Sequence, residues 1–427
     1  MKEQALRRRT LPNGLRVVVL PMPHTRAATV SLFCGAGSRY EPYDLMGLSH
    51  FLEHMLFKGT LRRPDPQEIA EAIERTGGLL NASTGREATV FWAKVASQHL
   101  PIAFDILADI ALNPALNPDD VERERGVILE ELELYQDTPT DWVHVLMSRL
   151  LWPGHPLGED IGGRPESIMN ITRDDLSKHV EDFYRANNMV LVVAGGVDAD
   201  DAFAHAEQAF GGLRKGTGPA WLPAVATQPV DRVITQAEDH SHVQLCIGGK
   251  GLSHADPDRH ALELLNAALG DGLSSRLAVE VRERLGLAYD IFTYAEQYFD
   301  TGAFVITAGV DDGHLGSALA AIWEQVDRIR QEKLPAEEMD KVREFTKGRL
   351  LLSMEDSWNV ASWYGSQEVL MHTTITLDEM LAIIDAITAD DVLRVAQRIF
   401  IPGWAHVALV GPGLDRAAME DLVSLWN

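Results

Sequence analysis

The chain repeats itself. Ile171-Thr-Arg-Asp-Asp-Leu176 returns as Ile387-Thr-Ala-Asp-Asp-Val392, and the apolar run Val190–Gly195 returns as His406–Gly411, both at an offset of 216 residues. Val30-Ser-Leu ahead of a glycine turn resembles Val243-Gln-Leu ahead of Gly248-Gly249, at an offset of 213. A period of about half the chain constrains the fold more than any local signal, because whatever supersecondary unit one half builds, the other must build as well. The 427 residues also exceed what a single core holds.

Each half mixes helix and strand. In the first, the hairpin turn Leu11-Pro-Asn-Gly-Leu15 leads into a strand over Arg16–Leu20, followed by strands over Ala28–Cys34, Leu79–Ser83, Ala88–Val95 and Val190–Ala194. A helix is expected over Asp65–Arg75, and another after the cap signal Thr172-Arg-Asp-Asp175. Between the halves, the run GGLRKGTGPAWLP from Gly211 to Pro223 reads as a linker. The expected division is an N-terminal half at 1–213, a Gly-rich linker at 214–226 and a C-terminal half at 227–427.

The stretch from Gly47 to Thr60, GLSHFLEHMLFKGT, is where chemistry concentrates. At about 100° per residue, Leu45, Leu48, Phe51, Leu52, Met55 and Leu56 fall on one broad apolar face of a helix, and His50, Glu53 and His54 fall together opposite them. Two imidazoles one turn apart grip one cation, and a carboxylate in the same turn reaches water bound to it. H-x-x-E-H is the reversed form of the H-E-x-x-H zinc signature, and it needs a third ligand. The plain alternative is a core helix whose histidines hydrogen-bond to neighbours.

Val121–Asp137, VERERGVILEELELYQD, carries the second informative pattern. Val121, Val127, Ile128, Leu132, Leu134 and Tyr135 form an apolar stripe of roughly 160°, with Glu122, Glu130 and Glu133 on the polar side. Glu124 and Glu131 lie in the middle of the stripe. A carboxylate facing a core without a partner costs several kcal/mol, so a cation or donors must lie near both. A break at Gly126 would instead rotate the register and return them to solvent. The chemistry is not duplicated in the second half: its corresponding helix, near His260–Leu269, lacks H-x-x-E-H, and with Gly126 set against Gly348, Ser353 stands where Glu131 does.

Composition excludes several classes. A net charge of −25 argues against nucleic acid, which requires clustered Lys and Arg; it suits basic partners such as basic peptides, or simply solubility. The two cysteines, Cys34 and Cys246, have no C-x-x-C partner and make neither a thiolate cluster nor a disulfide framework. No apolar run reaches the length of a membrane span, and the basic start MKEQALRRRTLPNGL lacks the apolar core of a secretory signal. A cytoplasmic protein without nucleic-acid or membrane partners is expected, although a sequence trimmed to its mature form reads the same way.

GLSHFLEHMLFKGT, GGLLNASTGREATVF, ERERGVILEE, HPLGEDIGG, NMVLVVAGGV and RERLGLAY together resemble the pitrilysin or insulinase family of zinc peptidases, the inverzincins, and within it the mitochondrial-processing-peptidase-like branch with half-length chains. The resemblance runs nearly the whole length. It implies an α+β chain of two similar halves, each an antiparallel-rich sheet packed with helices, the LuxS-like metallopeptidase fold. It implies one Zn(2+) per subunit on His50, His54 and Glu131, with Glu53 as general base and Glu124 supporting a ligand from behind. Arg282 and Tyr289, which by themselves read as a surface arginine and a strand residue, match the family's Arg/Tyr substrate pair. Leu79, Leu80, Asn81, Ala82 and Ser83 match its edge strand, to which substrate adds as a further strand. The implied function is an endopeptidase that cuts unstructured peptides or presequence-like segments inside a chamber, most simply as a homodimer. The alternatives are a non-catalytic or partner-dependent structural subunit and a processing peptidase dedicated to one precursor.

Overall fold

The computed structural model describes residues 6–224 and 231–424, so the end of the expected linker, 225–226, lies outside the described residues. Two compact units emerge. The first holds a six-stranded sheet of β1 (Arg7–Thr10), β2 (Arg16–Pro21), β3 (Ala27–Cys34), β4 (Leu79–Thr84), β5 (Thr89–Ala96) and β6 (Met189–Gly195). Its order is β1-β2-β6-β3-β5-β4. Only β2 and β6 run parallel; every other pair of neighbours is antiparallel. The second unit holds β7 (Val233–Ala237), β8 (Val243–Lys250), β9 (Ala288–Gln297), β10 (Gly302–Val310) and β11 (His406–Gly411), in the order β7-β11-β8-β10-β9. There β11 and β7 are the parallel pair.

Setting β1 aside, the two orders correspond strand for strand, β2 with β7, β6 with β11, β3 with β8, β5 with β10 and β4 with β9. The helical part of the repeat is equally close. Helices Arg173–Phe183 and Ala389–Ile399 both open on a capping box, Thr172 with Asp175 and Thr388 with Asp391. In each, the threonine hydroxyl accepts from the N–H three residues on and the aspartate reaches back, so two orphan donors of the first turn are satisfied. Two similar α+β halves with antiparallel-rich sheets are thus the architecture of the chain.

The centre of the first sheet, β2, β6 and β3, is buried on both faces, and the strand alternation shows it. Val17, Val19, Val30, Leu32, Leu191 and Val193 join the core that includes Leu48, Phe51, Leu52 and Met55. Val18, Leu20, Phe33, Val190 and Val192 point the other way and pack with Val360, Ala361, Tyr364 and Val369. Those last four belong to helix Ser357–Met371, which lies across β3 and β6. Gly365 meets the Phe33 ring so closely that a Cβ there would stand 2.1 Å from it. Cover on both faces explains why β6 is buried at every residue.

The spatial division therefore differs from the one expected at 1–213, 214–226 and 227–427. The first unit takes in residues up to Leu132, Asp160–Leu222 and Leu351–Ile375, and the second takes in Glu133–Glu159, Pro223–Leu350 and the chain from Thr376. Each unit has one helix from the opposite half: Ser357–Met371 in the first, and in the second Pro139–Leu151, whose Val143, Leu146 and Met147 pack with Cys246, Val305 and Ala408. The repeat shows which segments are copies of each other; it carries no information on which sheet a copied helix covers. The linker itself is tied down at Trp221 and Leu222. Arg39, fully buried, donates Nε and Nη2 to the Leu222 carbonyl at 3.1 Å each, and its guanidinium lies 4.1 Å from the centre of the Trp221 ring.

Candidate metal centre

The histidine helix spans Leu48–Leu56, and all its apolar residues named above except Leu45, which precedes it, are buried. Its start is fixed from three sides. Gly47 has φ +92°, and a Cβ there would stand 2.4 Å from the Gly162 carbonyl oxygen, so only glycine fits. Ser167 Oγ donates to the Met46 carbonyl at 2.7 Å. The buried Glu41 carboxylate accepts from the N–H groups of Gly47 (2.7 Å) and Ser49 (2.6 Å), capping the helix from outside its own sequence. The HPLGEDIGG motif is thereby explained: its last two glycines are the wall against which this helix begins.

Burial pushes the Glu41 carboxyl up to about 7, against the opposing pull of those N–H bonds. A carboxyl whose folded pKa lies above its free value contributes stability that is complete below the free value and lost as pH rises through the folded one. Glu41→Gln removes that dependence. The stability difference between wild type and this variant, from urea unfolding, is expected to shift against wild type by up to about 3 kcal/mol between roughly pH 4.5 and 7. A difference that stays constant over that range would refute the buried-acid account.

The acidic helix runs unbroken over Pro118–Gln136, through Gly126, so the register does not rotate. Val121, Ile128 and Leu132 are buried as expected; Val127, Leu134 and Tyr135 are exposed, which makes the apolar stripe narrower than the one read from the sequence. Glu124 sits in that narrower stripe with its side chain 4% exposed, and Glu131 lies at its margin at 35%.

The two helices bring His50, His54 and Glu131 together, with one ligand atom from each lying within 4.8 Å of the other two. Glu131 Oε2 is 3.8 Å from His50 Nε2 and 3.6 Å from His54 Nε2. Two ligands held at about 2.1 Å on a tetrahedral centre stand about 3.4 Å apart, so both Glu131–histidine separations lie within a few tenths of an ångström of what a zinc-sized ion requires. Among the described residues no other group of three His, Cys, Asp or Glu side chains meets this condition. Burial and the neighbouring His54 hold His50 down to about 4, so near neutral pH its ring keeps a free lone pair. His54 is oriented from behind. Its Nδ1 lies 3.2 Å from Glu124 Oε2, and since a carboxylate only accepts, Nδ1 carries the proton and Nε2 presents its lone pair toward Glu131.

Glu53 lies on the same helix, half-buried, and burial is the largest influence raising its pKa. Thr84 Oγ1 donates to its Oε2 at 2.5 Å. Thr84 ends β4, the free edge of the first sheet, so the strand formed by Leu79, Leu80, Asn81, Ala82 and Ser83 leads directly to this carboxylate. Along β4, Leu79, Asn81 and Ser83 are exposed. In the second unit, Arg282 lies on the π-helical turn Ala278–Arg284 and Tyr289 near the start of β9, 59% exposed. The Tyr289 ring packs on His242 with centroids 4.3 Å apart.

The second unit loses the histidine pair. At the offset of 213, His50, Glu53 and His54 fall on Glu263, Asn266 and Ala267, and all three of these line a cavity of about 450 Å³.

Residues 16–164 match the family model described as insulinase (peptidase family M16), and residues 170–345 match the one described as peptidase M16 inactive domain. The uncharacterized zinc protease YmxG of Bacillus subtilis is 33% identical over 95% of this chain and 98% of its own length. The chain belongs to the insulinase family, peptidase family M16. A second relative of this M16 chain, the uncharacterized zinc protease SCO5738 of Streptomyces coelicolor, is 32% identical over 97% of this chain and 91% of its own. The crystal structure of a protease from Helicobacter pylori shares the M16 fold at a TM-score of 0.89, with 24% identity over 96% of this chain and 100% of that one. An M16 inactive domain structure from Pseudomonas fluorescens does so at 0.88, with 20% identity over 96% of this chain and 99% of that one.

Three side chains at this M16 site escaped the sequence reading: Glu41, Thr84 and Lys58. Lys58 and Glu41 flank the H-x-x-E-H run. A capping carboxylate seven residues ahead of the first helical residue leaves no periodic signal, and Thr84 meets Glu53 only through the tertiary fold.

Proposed function

We propose that this chain is a zinc-dependent endopeptidase acting on unstructured peptides, with His50, His54 and Glu131 holding the ion and Glu53 acting as general base. The reading rests on the convergence of two imidazoles and one carboxylate from separate helices, with a half-buried carboxylate one residue from a ligand. The zinc protease relatives support it. Bound there, zinc lowers the pKa of a water ligand toward neutrality and polarises the scissile carbonyl.

Glu53 takes the proton of the attacking water and returns it to the leaving amine. Thr84 Oγ1 donates to Oε2 of Glu53, which fixes the carboxylate's direction. An extended peptide adds to the open edge of β4, its backbone paired with Leu79–Ser83, a mode that selects for extended conformation more than for side-chain identity. Arg282 and Tyr289 are assigned to substrate contact on the family resemblance; both are open to solvent. The subunit is proposed to work as a homodimer.

The test is a quenched-peptide assay on the purified protein. Hydrolysis is expected, is abolished by a chelator, and returns on adding zinc. A zinc-loaded preparation that cuts no member of a mixed peptide library, read by mass spectrometry, would leave a structural subunit as the better account. Cut sites confined to one sequence would favour a dedicated processing enzyme.

A further inference from the structure

We infer that Lys58 is a positioning residue for the metal, acting through Glu124 on His54; this rests on the zinc reading above. His54 and Lys58 are four residues apart, at and just beyond the end of the histidine helix. Both reach the same carboxylate on the acidic helix. Lys58 Nζ lies 2.8 Å from Glu124 Oε1 while His54 Nδ1 lies 3.2 Å from Oε2. Each oxygen of a nearly fully buried carboxylate is therefore committed to a partner from one helix, and the Lys58 ammonium supplies the counter-charge the imidazole cannot. With Oε1 anchored, Oε2 has one direction in which to accept, and that direction sets the plane of the His54 ring. Among the described residues, His50 Nδ1 is buried with no hydrogen-bond partner. His54 is thus the imidazole whose second nitrogen is held, and the control of ligand orientation passes through Glu124.

The second unit provides an internal comparison. At the offset of 213, Gly59 falls on Gly272, and both have positive φ, +116° and +101°, so each copy keeps a left-handed glycine at this point after the helix. Lys58 then falls on Asp271, and with Gly126 set against Gly348, Glu124 falls on Thr346. Asp271 pairs instead with Arg349, at 2.7 Å. The copy without the histidines also lacks the lysine–glutamate pair, while it keeps the glycine that follows the lysine position. Had Lys58 served only to end the helix, the retained glycine gives no reason for the pair to be missing together with the ligands.

The experiment measures zinc affinity by competition with a chromophoric chelator, on the full chain, independently of hydrolysis. Lys58→Met is expected to weaken zinc binding by about 10- to 100-fold, the range for losing a group that orients a metal-ligating histidine. Lys58→Arg, which keeps the charge, is expected to recover most of it. Because Lys58 acts through Glu124, the double variant Lys58→Met/Glu124→Gln should bind no more weakly than Glu124→Gln alone. A structural role would lower the melting temperature of the metal-free protein and leave the zinc constant unmoved. Wild-type affinity in Lys58→Met, or losses that add in the double variant, overturns the inference while the zinc reading stands. A wild-type protein that binds no zinc removes both. Should Lys58→Met fail to fold, Lys58→Gln takes its place in the same cycle, with the same outcomes.

Discussion

Glu53→Gln is expected to fold, to keep its zinc and to hydrolyse peptides at least about 10²-fold more slowly than wild type. The amide is nearly isosteric and its carbonyl still accepts from Thr84 Oγ1, which lies 2.5 Å from Oε2 in the native protein. What it cannot do is take a proton from water. A loss of about 10² corresponds to roughly 2.7 kcal/mol of transition-state stabilisation. The loss should fall on kcat with KM little changed, because Glu53 is assigned no part in pairing with the peptide. Unchanged turnover in a preparation free of contaminating peptidase would end the general-base assignment.

His54→Ala is expected to purify without stoichiometric zinc and without measurable hydrolysis. It removes a ligand and also the imidazole to which Glu124 accepts, so a buried carboxylate keeps Lys58 as its remaining partner of the two. The two variants separate the roles: elemental analysis should find metal in the glutamine variant and not in the alanine one. Equal zinc content in both would mean that His54 is a buried core histidine and not a ligand. Exposure of the zinc-loaded wild type to chelator, followed by re-addition of zinc, gives the reference for each.

The grouping of the candidate site residues was more legible in the sequence than the division of the chain into units. His50, Glu53 and His54 share a helix face because three and four residues make one turn, and that is a local property. Glu124 and Glu131 were picked out as carboxylates within an apolar stripe, and the fold places one against His54 Nδ1 and the other against both Nε2 atoms. The width of that stripe was overestimated, since Val127, Leu134 and Tyr135 are exposed: periodicity shows which residues share a face, not how far the opposing core extends. The repeat gave the correspondence of β6 with β11 and of the two capped helices, all of it carried by contiguous runs of residues. Contacts between distant segments left no such trace. Gly47 against Gly162 and Lys58 on Glu124 each depend on a meeting of segments that no single window contains.

The traded helices bear on how such a gene can be divided. A polypeptide ending in the tethered run at Trp221-Leu222 would carry every proposed zinc ligand yet lack Ser357–Met371. Phe33, Val190 and Val192, now 3% exposed or less, would face water on a bare sheet. At about 1.5–3 kcal/mol for each such side chain, those three alone forfeit a large share of the 5–15 kcal/mol that holds an ordinary domain together. The complementary fragment would strand Val143, Leu146 and Met147's partners in the same way. Neither piece should survive production alone, and the two should be recovered together when made in one cell, each lending the other its missing lid.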